Sequence, residues 1–322
     1  MKYLKGAGLL LIYLGVQALA LVLAYPFISA GLQQAANPSS VTSIIPLLIA
    51  IIVAPVGIIL FARKAPDSLS VIRVVFLGAI SMSMLVTLQP ALSLVLPIPL
   101  GYDTGMALDP SIYLAILVAA LAFLLLLLEP QWYIVDSFGM LAGGSLTALL
   151  GIFIGILPAL IFLSILMVYD AVAVYWTKHM ISLADVVSDM KLPILMVMPS
   201  QPSFDYTQMG SLKEHRDSVQ SHPEDREATF MGLGDAVIPG ILVVSSYIFL
   251  PTHGAALAVG ANLVTALGVM IGSLVGYMFL MRVVAGGNPQ AGLPFLNGGA
   301  IAGYLVTYFL VFHSLTFGIT WP

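Results

Sequence analysis

Residues 158–177 read PALIFLSILMVYDAVAVYWT, an apolar run of helix length that contains one aspartate, Asp170. A hydrocarbon core of about 30 Å needs roughly 20 mostly apolar residues for one helical crossing. A carboxylate inside hydrocarbon is costly, so an ionisable residue within such a run is by default a functional candidate. The stretch therefore predicts a transmembrane helix and marks Asp170 as a candidate site residue.

Similar apolar runs recur along the whole chain. Hydrophobic residues make up 60% of it and charged residues only 8%, against about 25% charged in a soluble domain. The first run, up to Ala24, also resembles a secretory signal peptide, and we expect it to be retained as a helix. The composition predicts an all-α integral membrane protein that crosses the lipid bilayer nine times, with helices at residues 6–28, 43–62, 71–88, 111–129, 137–155, 158–177, 230–249, 255–280 and 294–317.

The basic residues predict the orientation of these helices. Short loops rich in Lys and Arg stay on the cytoplasmic side of a membrane. With a cytoplasmic N-terminus, all 11 Lys and Arg residues lie in cytoplasmic segments, and the C-terminus is extracytoplasmic. The chain then divides into helices one to six, a polar cytoplasmic loop and helices seven to nine, over residues 1–177, 178–229 and 230–322.

Several function classes are excluded by composition. The net charge is -4 and the chain contains no basic run, so nucleic acid is not an expected partner. The chain has no cysteine, which excludes disulfides, thiolate metal sites and cysteine nucleophiles. The five histidines show no spacing of metal ligands, and we expect neither a metal nor a cofactor.

A second aspartate, Asp235, lies in the apolar run Phe230-Met-Gly-Leu-Gly-Asp-Ala-Val-Ile238. At 1.5 Å per residue, Asp170 lies ~10 Å from the cytoplasmic end of helix six, and Asp235 lies ~8 Å past the start of helix seven. Consecutive antiparallel helices commonly pack as neighbours, so the two carboxyls are expected to face each other at one depth. Asp136 is expected near a helix end, within reach of the headgroups.

Two facing carboxyls at low dielectric share a proton, which is the arrangement of aspartic proteases. One carboxylate deprotonates a water molecule, and the other protonates the carbonyl of the scissile bond. A buried pair at this depth is equally suited to proton or ion transport. Depth alone does not choose between peptide hydrolysis and a proton-coupled transporter.

Glycine-rich segments lie next to Asp235 and before helix nine. Gly232 and Gly234 flank Leu233, and they permit close backbone approach to the carboxylate or ordinary helix packing. Residues 286–299, GGNPQAGLPFLNGG, either line the site or form a cytoplasmic loop, and we favour the loop. Inside the long loop, the apolar run at 194–198 either lies on the membrane surface or pairs as a strand.

Three motifs in this order resemble the presenilin and signal peptide peptidase family of intramembrane aspartyl proteases. They are Tyr169-Asp170 in helix six, Gly232-Leu233-Gly234-Asp235 in helix seven, and Leu293-Pro294 at the start of helix nine. The resemblance implies that the two aspartates are the catalytic pair and that the segment around Gly292 and Leu293 shapes the site and docks substrate. The family's usual Pro-Ala-Leu is replaced by Ala291-Gly292-Leu293, which weakens the docking assignment.

The resemblance implies an intramembrane aspartic endopeptidase of microbial type whose substrates are single-span membrane proteins. The predicted orientation is similar to that of presenilin and opposite to that of signal peptide peptidases. The loop between helices six and seven is compact, and a need for accessory subunits is not evident. A prepilin peptidase also uses a Gly-x-Gly-Asp aspartate, but its first aspartate lies in an early helix.

Overall fold

The computed structural model describes residues 2–29, 40–51, 53, 57, 69–95, 110–177, 195–201, 204–206, 228–252, 260–284 and 290–318. The helices are α1 (Lys2–Ser29), α2 (Val41–Ile51), α3 (Leu69–Val95), α4 (Pro110–Leu128), α5 (Trp132–Phe153), α6 (Ile156–Val172), α7 (Leu233–Phe249), α8 (Ala261–Val284) and α9 (Leu293–Phe312). A π-helical turn, Ala173–Thr177, continues α6. Two strands, β1 (Leu195–Pro199) and β2 (Ala228–Gly232), lie between α6 and α7.

Seven of the described helices are long and apolar enough to cross a membrane. The two shorter apolar helices are α2 and α7. The chain is therefore a multi-pass, mostly helical membrane protein, while nine crossings and the orientation of both termini stay predictions. Most of the predicted loop, the end of the predicted second helix, residues 286–289 and every histidine except His313 lie outside the described residues.

Two predicted helix boundaries near the aspartates differ from the structure. Helix α5 begins at Trp132 instead of residue 137, because the break at Pro130 and Gln131 ends α4 and Gln131 accepts the first N–H groups of α5. Helix α7 begins at Leu233 instead of residue 230, because the preceding residues pair as strand β2. Asp235 is therefore the third residue of its helix and does not lie a full turn inside it.

Helix α7 is the centre of the bundle, in contact with α1, α5, α6, α8 and α9. Eleven of its 17 residues are buried. Helices α8 and α9 pack closely because glycines face each other, and a Cβ on Gly276 would collide with the carbonyl oxygen of Phe295. Small residues allow such close approach of membrane helices. This packing holds the beginning of α9 beside α7.

The two strands form one small antiparallel sheet. Leu195 pairs with Gly232, and Pro199 pairs with Ala228. The sheet confirms the strand alternative for the apolar run at 194–198 within a fold that is otherwise mostly helical. Because β2 runs directly into α7, the position of the sheet sets the position of the first turn of α7.

Candidate active site

Asp170 lies on α6, just before the π-helical turn, and is 6% exposed. Its Oδ2 accepts a hydrogen bond of 3.0 Å from the backbone N–H of Leu293. Leu293 is the first residue of α9. The first N–H groups of a helix have no partner within the helix, so they suit a carboxylate as acceptor. The beginning of α9 therefore binds the Asp170 carboxyl directly.

Asp235 lies in the first turn of α7 and is half-buried. A Cβ atom built on Gly292 would lie 3.2 Å from Asp235 Oδ2, and one built on Gly232 would lie 3.6 Å from the same atom. Both glycines thus leave room for the carboxyl. Leu293 thus binds Asp170 while the adjacent residue, Gly292, lies beside Asp235, so both carboxyls lie next to the beginning of α9.

The other predicted site residues have different surroundings. Pro294 is the second residue of α9, a position that suits its fixed backbone angle. Leu233 is buried and packs against Gly143 of α5, and Tyr169 packs against the main apolar cluster. Gly234 is exposed, and nothing lies within 4 Å of a Cβ built on it.

The interpretation of residues 286–299 as a cytoplasmic loop is wrong for the residues from 293 onward, which are helical. Helix α9 begins at Leu293, and Ala291, Gly292 and Leu293 are all buried. The cause is the hydrogen bond from Leu293 to Asp170, together with the close packing of α9 on α8. This segment lines the aspartate site.

Sequence reasoning missed two residues that hold the beginning of α9. The hydroxyl of Tyr175 donates to Gln290 Oε1 at 2.8 Å and accepts the N–H of Ala291 at 3.4 Å. Asn297, which is fully buried, donates through Nδ2 to the carbonyl oxygen of Leu163 at 3.0 Å. Asn297 could have been found from the sequence, because it is a polar residue inside the apolar run of α9. Tyr175 could not, because its hydrogen-bond partner Gln290 is 115 residues away.

Asp136 lies near a helix end as expected, but its carboxyl is buried in the protein and does not extend toward the headgroups. This residue is 7% exposed, and its Oδ1 accepts the backbone N–H of Val197 at 2.8 Å. It is buried because α5 begins four residues before it and β1 covers it. Among the described residues, no group of three or more His, Cys, Asp or Glu side chains is arranged to hold a metal ion.

A protein-family model described as signal-peptide peptidase, presenilin aspartyl protease matches residues 8–313. The chain is similar to a solved structure of a presenilin family intramembrane aspartate protease in the C222 space group, with 31% identity, a TM-score of 0.63, and coverage of 95% of this chain and 99% of that one. A second crystal form with the same description gives 34% identity, a TM-score of 0.58, and coverage of 94% and 97%. No curated protein matches the chain.

Proposed function

Because the chain belongs to the signal-peptide peptidase and presenilin family of aspartyl proteases, we propose that it hydrolyses peptide bonds within transmembrane segments and that Asp170 and Asp235 are its catalytic pair. The observation that carries the proposal is the contact of Gly292 and Leu293 with both carboxyls. It supports a dyad that is built from α6 and α7 and closed by α9.

The reaction uses water and returns the dyad to its starting state. One carboxylate takes a proton from water, whose oxygen attacks the carbonyl carbon of the scissile bond, while the protonated partner gives its proton to the carbonyl oxygen. The resulting diol collapses, the C–N bond breaks, and a proton passes to the leaving amine. The products are a carboxylic acid and an amine, and the pair again holds one proton.

The contacts of Asp170 suit this chemistry. An ionised carboxyl accepts several hydrogen bonds, and the N–H of Leu293 uses one acceptor position of Oδ2. This bond orients the carboxyl plane without occupying Oδ1. Gly292 keeps the space beside Asp235 Oδ2 free of side-chain atoms. A preorganised pair of this kind is what proton transfer in a transition state requires.

The substrate class follows from the family and from the basic residues. The cytoplasmic N-terminus predicted from Lys and Arg is the presenilin-like orientation, and it implies single-span substrates whose N-termini lie outside. The proton-coupled transporter receives no support from the family match or from the similar structures, which are all described as aspartyl or aspartate proteases.

The test is cleavage of a single-span membrane peptide by the purified chain in detergent or vesicles. We expect Asp170→Ala and Asp235→Ala each to lower the rate by at least about a thousandfold, since each removes one member of a coupled pair. Glu129→Gln is the matched control, because Glu129 is an exposed carboxylate between α4 and α5 and its loss is expected to leave the rate unchanged. Cleavage that survives either aspartate substitution, or proton flux without cleavage, contradicts the proposal.

A further inference from the structure

Asp136 is a buried carboxyl outside the proposed pair, and the proposed reaction has no use for it. We infer that Asp136 is a positioning residue that holds Asp235 in place through the two-stranded sheet. The inference rests on the proposed function for its kinetic consequence, while the contact itself is a property of the fold. The contacts that connect the two aspartates run from α5 to β1, from β1 to β2, and from β2 to α7.

The first step is the bond between Asp136 and β1. Oδ1 accepts the N–H of Val197 at 2.8 Å, and the carboxyl is 7% exposed. Its other oxygen, Oδ2, has no hydrogen-bond partner among the residues that the structure describes. Burying a carboxyl at such a place costs free energy unless its bonds compensate. The strand N–H is the one bond that the described structure gives it in return.

The second step concerns the direction of that N–H. Successive backbone groups of an antiparallel strand alternate between the partner strand and the outside. Because the N–H of Val197 points to Asp136, the bonds to β2 come from the residues on either side, Met196 and Met198, which pair with Met231 and Thr229. Asp136 therefore holds the outer edge of β1 at its central residue.

Other contacts make the beginning of α5 a platform for this sheet. Gln131 Nε2 donates to Asp205 Oδ1 at 3.2 Å. Val197 packs in one apolar cluster with Ile134, Val135 and Tyr206. Burial raises the pKa of the Tyr206 phenol, and the nearby charge of Asp136 raises it further. The Asp136 bond adds a directed contact to this area and opposes sliding of β1 along its own axis.

The last step connects the sheet to the proposed active site. Strand β2 ends at Gly232, α7 begins at the next residue, and Asp235 is the third residue of the helix. A shift of β1 therefore moves Asp235 relative to Asp170, which α6 and α9 hold independently. A misplacement of about 1 Å costs up to about a hundredfold in rate.

The kinetic test compares Asp136→Leu, which removes the acceptor, with Asp136→Asn, whose amide oxygen still accepts the N–H of Val197. We expect Asp136→Leu to lower kcat per folded molecule at least about tenfold with KM changed less than about threefold, and Asp136→Asn to stay within about threefold of the wild type. Thr147→Val is the matched control, because Thr147 is a fully buried polar residue of α5 whose Oγ1 has no hydrogen-bond partner among the described residues.

A second readout is independent of activity. The chain has no cysteine, so Met196→Cys, at a β1 position that is 1% exposed, provides a single thiol whose labelling rate reports release of the strand. We expect fast labelling in the Asp136→Leu background and slow labelling in the wild-type and Thr147→Val backgrounds. If Asp136→Leu does not fold, Val197→Pro removes the same bond from the donor side and no bond to β2, because the N–H of Val197 points away from β2.

Three results would overturn the inference. The first is an unchanged kcat per folded molecule in the leucine or proline variant. The second is an equal loss of kcat in the asparagine and leucine variants. The third is a labelling rate of Met196→Cys that does not depend on the residue at position 136. A wild-type chain that cleaves nothing contradicts the proposed function instead, and the labelling rates still decide the inference.

Discussion

Gly292 lies against the carboxyl group of Asp235, so closely that a Cβ atom built on it would stand 3.2 Å from Oδ2 and 3.5 Å from Cγ. The backbone of Gly292 has φ -82° and ψ -45°, which any residue adopts. The backbone angles therefore do not require glycine here, and what the glycine provides is space beside the aspartate. The next residue, Leu293, binds Asp170 through its N–H, so one dipeptide touches both halves of the proposed dyad.

The first prediction is that Gly292→Val lowers peptide cleavage at least about tenfold with little loss of folded protein. The Cβ alone would stand 3.2 Å from Oδ2, so the branched side chain must push the carboxyl aside, whereas alanine, the family's usual residue here, needs only a small shift. Gly298→Val on the same helix is the control, because its Cβ would meet its nearest neighbour, Met167 Cε, at 3.7 Å. Equal activity of the two variants would remove the role assigned to Gly292.

The second prediction concerns the hydroxyl of Tyr175, which binds Gln290 and Ala291 just before α9. Tyr175→Phe removes these bonds and keeps the ring. A hydrogen bond of this kind is worth about 1 kcal/mol, so we expect about a fivefold loss of kcat/KM. Tyr133→Phe is the control, because Tyr133 is similarly exposed on the first turn of α5. A loss of equal size in both variants would assign the effect to the exposed tyrosines in general.

Much of the helical frame could be predicted from the sequence because apolar runs are local signals. The runs that became α4 and α6 were placed within a few residues of the helices at Pro110–Leu128 and Ile156–Val172, with its π-helical turn to Thr177, while α3 ends at Val95, seven residues beyond its predicted end. The start of α7 was misplaced because Phe230 and Met231 are apolar and continue the helical pattern. Their partners in β1 lie more than 30 residues earlier, and no local sequence pattern predicts that pairing.

The contacts of the site are non-local, and this explains what the sequence could not show. Asp170 and Leu293 are 123 residues apart, and Asp136 and Val197 are 61 residues apart. The aspartates were recognisable because a charge in an apolar run is rare. The hydrogen bonds that orient them depend on the packing of α9 against α6 and of the sheet against α5.

The third prediction concerns pH. A dyad that works with one shared proton is active only between its two macroscopic titrations, so kcat is expected to follow a bell-shaped profile. Wild type and Glu129→Gln should give the same bell-shaped profile, because Glu129 is an exposed residue of the link between α4 and α5. A flat profile across both limbs, measured while the protein stays folded, contradicts a coupled dyad.

The fourth prediction concerns orientation, for which the structure supplies a matched pair of labelling positions. Arg73, near the beginning of α3, donates to the carbonyl oxygens of Leu126 and Leu127 at 2.9 and 3.2 Å, so these helix ends lie at one face of the bundle. Strand β1 packs on the beginning of α5, directly after this end of α4. Ser200, which follows β1, is expected on the cytoplasmic face, and Ser314, which follows the far end of α9, on the other.

Since the chain contains no cysteine, Ser200→Cys and Ser314→Cys each provide one thiol for an impermeant reagent. In intact cells we expect labelling of the cysteine at position 314 and protection of the one at position 200, with both labelled after lysis. The reverse pattern would invert the charge-based orientation and, with it, the expected orientation of the substrates. Labelling of both positions in intact cells would contradict their placement on opposite faces, because a reagent confined to the outside reaches only one of them.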